Sequence, residues 1–393
     1  MALRILIATF GSAGDVFPVV PVADRLAGFG HKVIFAAPRA QALFLRAQGR
    51  QVVSLGRGEE LKVLHDERVV TTRFSGWASW RTTTADYVAP ALAADVAVVE
   101  RVIERWRPDV VVTLSFAAAA RVAAYRQGVP QVRATIYPQH VMHLPDSRCF
   151  GRDLRVAIGG ILRADPGADV VGNLAWGVAS PLVLLHDAAL LRDLRGNLAP
   201  VGFPSWDGAH PGRHDEERVV DWCATGDGPV VMVTLGSFLG VRQRAVWSEL
   251  VDGVRALGMR ALLVGGAGAY EPLAQQEQSV LATRYVRHSA VLAGVDAVVH
   301  HGGIGTMFAV MRAARPAVIV PQAFDQRFNA ELVERVGVGV DGGRQELKVA
   351  LKRVVEDDAL RERAELLAGW LVPVDEAAES AADTIVRSVV GVL

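Results

Sequence analysis

The sequence predicts an α/β protein with two parallel-sheet domains, and three observations support this. The chain has 393 residues, whereas a folded domain usually has about 100–200, so two domains are expected. In both halves, apolar runs of strand length alternate with helical patterns, which is typical of parallel sheets covered by helices. Between the halves, residues 199–215 are rich in proline and glycine, as interdomain linkers are.

The composition excludes several classes of protein. Lys plus Arg and Asp plus Glu both number 42, so the net charge of zero does not favour nucleic acid or an anionic membrane as a partner. Hydrophobic residues make up 51%, which is typical of a folded protein. Cys149 and Cys223 are too few for a disulfide framework or a zinc ribbon. No apolar run approaches the roughly 18 residues of a membrane-spanning helix. We expect a cytoplasmic protein without integral membrane association.

The first half alternates regularly, apart from an irregular stretch over 56–90. The predicted elements are, in order, strand 3–9, helix 17–29, strand 31–36, helix 38–48, strand 51–55, helix 92–106, strand 109–114, helix 117–125 and strand 130–136. The irregular stretch carries Phe74, Trp77 and Trp80. Because loops longer than about 12–15 residues are usually functional or disordered, and aromatic side chains argue against disorder, this stretch is a candidate for ligand binding. Ordinary packing of aromatic side chains under a loop remains an equal alternative.

The second half repeats the alternation. Its predicted strands are 229–235, 259–264, 296–300 and 316–320. Residues 343–393 are helical in pattern, with Pro373 as the one break. We therefore place the first domain at 1–205, the linker at 206–215 and the second domain at 216–375.

A glycine-rich loop follows the strand 296–300. Its sequence is His300-His301-Gly302-Gly303-Ile304-Gly305-Thr306, and a helical pattern begins within it. Glycines let a backbone approach a ligand closely, and the amides at a helix start attract phosphate. A pyrophosphate is expected here, with His301 and Thr306 as further hydrogen-bond donors.

Two alternatives remain for this loop. Gly303 and Gly305 match part of a nicotinamide-dinucleotide fingerprint, and Asp325 lies 20 residues beyond Gly305, near the spacing of a ribose-binding acid. However, Phe308 replaces the third glycine of that fingerprint. The loop is alternatively a structural turn that contains two hydrogen-bonded histidines.

Three further groups lie just beyond predicted strands, where ligands bind to parallel sheets. Asp325 and Gln326 together offer acceptors and donors, which suits the vicinal hydroxyls of a sugar. Ser237 follows the strand 229–235 and can donate to the same phosphates. After the first strand, Pro18 suits an early helical position and Asp15 the cap before it, and capping alone would explain Asp15.

Taken together, these motifs resemble the family-one nucleotide-sugar-dependent glycosyltransferases with the GT-B fold. The resemblance is especially to bacterial enzymes that glycosylate natural products and to the related sterol glucosyltransferases. Its most specific parts are the segment from Tyr285 to Gln326 and the N-terminal Gly11-Ser12-Ala13-Gly14-Asp15-Val16-Phe17-Pro18. The resemblance implies two Rossmann-like domains facing across a cleft, with the acceptor bound by the first and the donor by the second. It also implies that a C-terminal helix, 376–393, crosses back toward the first domain.

The resemblance assigns roles to individual residues. The donor pyrophosphate is assigned to Ser237, His301, Gly302, Gly303, Gly305 and Thr306, the donor sugar to Asp325 and Gln326, and the nucleotide base to Tyr285 and Val286. Asp15 matches an aspartate found in one subgroup where many members place a histidine base. The acceptor is assigned to Phe74, Trp77, Trp80 and the loop with His140 and His143, either of which is an alternative base. Arg287 replaces a proline that is frequent in the family, and it could alter base recognition or reach a phosphate.

The implied reaction moves a sugar from a UDP- or TDP-sugar to a hydroxyl of an apolar acceptor such as a polyketide or a sterol, with inversion. No Asp-x-Asp triplet occurs, so neither a metal nor a cofactor is expected beside the nucleotide-sugar co-substrate. Two alternatives are a nucleotide-sugar epimerase of the same architecture and a non-catalytic partner that activates another glycosyltransferase. The expected oligomeric state is a monomer or a homodimer.

Overall fold

The computed structural model describes most of the chain and divides it into two compact units. The described residues are 1–56, 81–114, 116–137, 152–176, 182–191, 200–208, 216–236, 241–265 and 278–390, with the backbone alone over 241–246. The first unit contains the described residues up to Trp206 and those from Val372 onward, and the second contains those from Asp207 to Leu371. The predicted linker, 206–215, lies partly outside the described residues.

The first unit is built on a six-stranded parallel sheet. Its strands are β1 (Arg4–Ala8), β2 (Lys32–Pro38), β3 (Val52–Leu55), β4 (Val110–Thr113), β5 (Gln131–Thr135) and β6 (Leu182–Leu184). They lie in the order β3-β2-β1-β4-β5-β6. The helices are α1 (Ala13–Val16), α2 (Val19–Gly28), α3 (Arg39–Ala47), α4 (Ala89–Trp106), α5 (Ala118–Arg126), α6 (Arg152–Leu162) and α7 (Asp169–Trp176).

The second unit has a sheet of the same kind. Its parallel strands are β7 (Val230–Thr234), β8 (Arg260–Val264), β9 (Val280–Thr283), β10 (Ala297–His300), β11 (Ala317–Ile319) and β12 (Gly339–Asp341). Their order, β12-β11-β10-β7-β8-β9, repeats that of the first sheet strand for strand. The helices are α8 (Glu216–Ala224), α9 (Val241–Ala256), α10 (His288–Val291), α11 (Ile304–Arg312), α12 (Gln326–Val336), α13 (Leu347–Glu356) and α14 (Asp358–Trp370). The predicted fold class, two parallel-sheet α/β domains, is confirmed.

The central strands explain why the sequence reads as continuous apolar runs. Every residue of β4, β7, β8 and β10 is buried, as expected when helices cover both faces of a parallel sheet. None of the described helices is long and apolar enough to cross a membrane.

The helix predicted over 92–106 begins earlier than expected, since residues 81–83 are already helical. A π-helical turn over Thr84–Val88 follows, in which the N–H of Ala89 donates to the carbonyl of Thr84, five residues back. The wider turn accommodates Pro90, which has no N–H to donate. Pro90 is therefore contained within one longer helical segment.

The C-terminal segment contains three helices rather than the two that Pro373 alone predicts. The additional break is at Asp357, whose carboxylate accepts from the N–H of Ala359 at 3.0 Å and caps α14. The last helix, α15 (Val374–Val390), belongs to the first unit. It packs against α2, and Arg25 Nη2 lies 2.8 Å from Asp375 Oδ1.

Candidate functional site

In both sheets the strand order reverses direction at one point, and ligands of doubly wound proteins bind beyond the carboxyl ends of the strands there. In the first unit this point lies between β1 and β4, and in the second it lies between β7 and β10. Asp15 follows β1, and the glycine-rich loop follows β10. Two predicted groups are thus located at the places where this topology forms a crevice.

The Asp15 carboxylate is held by three hydrogen bonds. Its Oδ2 accepts from the backbone N–H of Ser12 at 2.9 Å and from the Ser12 hydroxyl at 3.2 Å. Its Oδ1 accepts from the Tyr137 hydroxyl at 3.1 Å. Asp15 lies inside α1, where Ser12 is the N-cap, and the residue before α2 is Pro18. The expectation that Asp15 caps the helix after it is therefore wrong, because Asp15 instead forms a capping box with Ser12 at the start of α1.

The environment of Asp15 changes its acidity. Burial raises the pKa of the carboxyl from 3.8 to about 6, against the opposing effect of the hydrogen bonds from Ser12 and Tyr137. The carboxylate is thus more basic than an ordinary aspartate, yet it remains largely ionised at neutral pH. These are the properties required of a general base that works near neutrality.

Gly11 makes room for this carboxylate. Its φ of +111° lies in a region that residues with a side chain rarely adopt. A Cβ at this position would also overlap Asp15 Oδ2 and Cγ. The loop therefore requires glycine at position 11 for Asp15 to keep its orientation.

Tyr137 is the residue that sequence reasoning missed as a partner of Asp15. It is 122 residues away along the chain and lies two residues beyond the end of β5, with its side chain buried. Its backbone N–H donates to the Thr135 hydroxyl at 3.1 Å, which fixes the start of the loop. The available signal was its position beyond the end of β5, at the same edge of the sheet as the loop after β1.

In the second unit, the His301 imidazole is confined between two glycines. A Cβ on Gly236 would lie 2.7 Å from the ring, and one on Gly303 would overlap Nε2. Burial lowers the pKa of His301 to about 4, so the ring is neutral at physiological pH. A hydrogen bond between the ring and the backbone of Thr234 opposes this fall in pKa.

The remaining residues of this loop shape the start of α11. Gly303 is the N-cap, so the N–H groups of the next three residues, through Thr306, have no acceptor within the helix. Gly305 and Thr306 are half-buried. His300 has a structural role, since its Nδ1 accepts from the N–H of Gly302 at 3.1 Å. The first turn of α11 thus presents backbone donors of the kind that bind phosphate.

Asp325 and Gln326 lie at the beginning of α12 and are both buried. The Gln326 Oε1 atom accepts from the N–H groups of Gln322 at 2.7 Å and Ala323 at 2.9 Å. The carboxamide oxygen of Gln326 is therefore hydrogen-bonded to the backbone, and Nε2 is the donor of this side chain. The Asp325 Oδ2 atom accepts from Asn329 Nδ2 at 2.8 Å.

The predicted base-binding segment is hydrogen-bonded to Asp207, Gly208 and Glu216. The Tyr285 hydroxyl donates to the carbonyls of Asp207 and Gly208 at 3.0 and 2.9 Å. Arg287 forms an ion pair with Glu216, with 3.0 Å between Nε and Oε2. Val286, whose backbone was assigned to the base, is buried.

Several predicted residues lie outside the described residues: Phe74, Trp77, Trp80, His140, His143 and Ser237. Their assignments therefore stay predictions. Among the described residues, no three His, Cys, Asp or Glu side chains form a cluster that could hold a metal ion.

Comparison with known proteins shows which proteins this chain is similar to. Residues 242–390 match the family model described as erythromycin biosynthesis protein CIII-like, C-terminal domain. The chain is 27% identical to glycosyltransferase GtfE of Amycolatopsis orientalis, over 98% of each sequence. It is 28% identical to O-mycaminosyltylonolide 6-deoxyallosyltransferase of Streptomyces fradiae, over 96% of each.

A solved structure shows the same fold. The Streptomyces sp. SF2575 glycosyltransferase SsfS6, complexed with thymidine diphosphate, superposes with a TM-score of 0.71 at 20% identity, over 98% of this chain and 99% of that one. The chain thus has the GT-B fold and is similar over nearly its whole length to glycosyltransferases of Amycolatopsis and Streptomyces, as the resemblance in its sequence implies.

Proposed function

We propose that this chain transfers a sugar from a UDP- or TDP-sugar to a hydroxyl of an apolar natural product, with inversion at the anomeric carbon. The observation that carries the proposal is the Asp15 carboxylate at the end of β1. It is oriented by Ser12 and Tyr137, and its pKa is raised to about 6. The names of the relatives support the reaction class, and thymidine diphosphate in the SsfS6 structure supports the nucleotide.

The second unit supplies the donor-binding groups. The helix-start amides of α11 and the His301 imidazole bind the diphosphate, and Asp325 with Gln326 binds the sugar hydroxyls. Because His301 is neutral before the ligand binds, it contributes a hydrogen bond and not a full positive charge. Fixed backbone dipoles stabilise the negative charge that develops on the leaving diphosphate, and they need no reorganisation during the reaction.

The first unit supplies the base. Asp15 takes the proton from the acceptor hydroxyl as its oxygen forms a bond to the anomeric carbon. The bond from that carbon to the diphosphate oxygen breaks in the same step, and the electron pair leaves with the nucleoside diphosphate. A single displacement of this kind inverts the configuration. General bases typically contribute about 10²–10⁴-fold to such a step.

The proposal is tested by incubating the protein with UDP- and TDP-sugars and a panel of polyketide, sterol and phenolic acceptors. Mass spectrometry detects the glycoside, and NMR coupling constants give its anomeric configuration. A product with the donor's own configuration would refute inversion. Conversion of the donor to a new nucleotide sugar without any acceptor would instead identify an epimerase.

A further inference from the structure

We infer that Asn329 is a positioning residue that holds the Asp325 carboxylate against the diphosphate-binding loop, so that sugar recognition depends on it. The inference rests on the proposed function, since it assumes that Asp325 binds the donor sugar. Asn329 lies one helical turn after Asp325 in α12 and is only 2% exposed. Its Nδ2 donates to Asp325 Oδ2 at 2.8 Å and to the carbonyl oxygen of Gly302 at 2.7 Å.

The hydrogen bond from Asn329 to the Gly302 carbonyl distinguishes this bridge from ordinary stabilisation of a helix. A contact between side chains four residues apart is common on helices and by itself indicates no function. The bond to Gly302 leaves the helix and reaches a loop 27 residues away in sequence. Since an NH₂ group has two protons, Asn329 can use one for each partner and so joins them.

The backbone contacts beneath this bridge are close. Gly302 has a φ of +90°, and a Cβ there would lie 2.8 Å from Ile319 Cγ2 and 3.0 Å from the carbonyl oxygen of Gln326. The loop after β10 therefore rests directly on the start of α12, with no space for a side chain between them. A displacement of one segment is transmitted to the other.

An asparagine suits this position because it is neutral. It orients Asp325 without cancelling its charge, so the carboxylate remains a strong acceptor for sugar hydroxyls. A carboxylate that is free to rotate would lose part of its binding energy in ordering itself on the ligand. Asn329 orders the Asp325 carboxylate before the ligand binds, and it holds this carboxylate at a fixed position relative to the diphosphate-binding loop.

The test measures what the sugar adds to affinity. Calorimetry gives the Kd of UDP and of TDP, and then the Kd of their glucose and rhamnose conjugates, for the full chain. The ratio of the nucleotide Kd to the nucleotide-sugar Kd is the sugar increment. The variants are Asn329→Ala, Asn329→Asp, Asp325→Ala and the double variant Asp325→Ala/Asn329→Ala. Asn329→Asp keeps the shape of the side chain, but it removes the donor and adds a charge beside Asp325.

A matched control is Val333→Ala, which truncates a buried side chain one turn further along the same helix. It should lower stability and leave the sugar increment unchanged. Asn329→Ala and Asn329→Asp should each reduce the increment about five- to tenfold, the effect of one net hydrogen bond. The double variant should lose no more than Asp325→Ala alone, because Asn329 acts through Asp325.

Three outcomes would overturn the inference. Asn329→Ala could weaken nucleotide and nucleotide sugar equally, which would indicate a structural role. Its effect could add to that of Asp325→Ala, which would indicate independent action. Finally, the sugar increment could be unchanged in Asp325→Ala. Asp325 would then not bind the sugar, and Asn329 could not act on the sugar through it. By contrast, failure of the unmodified protein to bind any of the nucleotides would refute the proposed function itself.

Discussion

At the scale of single residues, we expect Asp15, the proposed base, to determine how the rate depends on pH. Its base form is the carboxylate, so with a pKa of about 6 the rate should rise as pH increases through about 6 and level off above 7. Asp15→Asn should lower turnover about 10²–10⁴-fold and leave the Kd of the donor nearly unchanged. Single-turnover kinetics across pH 5–8 measures the first effect and calorimetry the second.

The control for Asp15→Asn is Asp153→Asn, which changes an exposed aspartate. The pH profile of Asp153→Asn should match that of the unmodified protein.

The stability of Asp15→Asn provides a second readout. Because the folded-state pKa of Asp15 lies above the unfolded value of 3.8, its favourable contribution to stability is present below pH 3.8 and is lost as pH rises through about 6. The melting temperature of Asp15→Asn relative to the unmodified protein should therefore increase from pH 4 to pH 8. Near-normal turnover of Asp15→Asn at any pH would remove Asp15 from the mechanism.

Tyr137 should affect the pKa of Asp15 and therefore the pH dependence of the rate. Its hydroxyl donates to Asp15 Oδ1 and lowers the pKa of that carboxyl, so Tyr137→Phe should raise the pKa. The acid limb of the rate profile should then move to higher pH by up to about one unit, while the rate at pH 8 changes less. Tyr125→Phe, at an exposed position on α5, is the matched control. Coinciding profiles for Tyr137→Phe and the unmodified protein would show that this hydrogen bond has no part in catalysis.

The limits of sequence reasoning are clearest for these residues. The positions of Asp15 and of the glycine-rich loop beside strand ends could be predicted because each lies within one short segment after a strand. The bond between Asp15 and Tyr137 could not, because it depends on the strand order β1-β4-β5, which brings together segments 122 residues apart. For Gln326, the sequence predicts a contact with the donor sugar, but it does not predict that Oε1 accepts from two backbone amides.

At the scale of secondary-structure elements, the short loop before α11 should be sensitive to a single methyl group. Gly303 has a φ of −63° and a ψ of 136°, which alanine can adopt, so Gly303→Ala should not distort the backbone. The new Cβ would instead overlap His301 Nε2 and displace the ring. We expect a roughly tenfold loss of UDP or TDP affinity, similar to that of His301→Ala, because both variants remove one hydrogen bond to an anion.

Gly369→Ala is the control for that variant, since a Cβ at position 369 meets nothing within 4 Å. Position 369 lies in α14, where alanine favours the helix, so nucleotide affinity should be retained and stability should not fall. If Gly303→Ala bound the nucleotide as tightly as Gly369→Ala does, the role of His301 would be contradicted.

The strands that sequence reasoning missed share a physical property. β6, β9 and β12 have only three or four residues each, and all lie at an edge of their sheet. Short edge strands carry little periodic signal of their own, because pairing with a neighbour fixes their conformation. The central strands were predictable because burial on both faces requires continuous apolar runs.

At the scale of the whole molecule, the last helix should stabilise one unit and not the other. Ile385 in α15 is buried, whereas the ion pair between Arg25 and Asp375 is exposed. Ile385→Ala should therefore cost about 2–5 kcal/mol of unfolding free energy, and Asp375→Ala less than about 1 kcal/mol. Denaturant titration measures both. Hydrogen exchange should show the loss of protection in β1 and α2, and equal losses in β10 and α12 would contradict the division into units.

The membership of α15 also has a consequence for how the protein is made. Helix α15 completes the unit that contains Met1, and a chain emerges from the ribosome with its N-terminal residues ahead of its C-terminal ones. The second unit is contiguous from Asp207 to Leu371 over its described residues, so nearly all of it is synthesised before α15 exists. The residues of the first unit that precede Asp207 must therefore wait, with one face of α2 uncovered, until residues 374–390 have been translated.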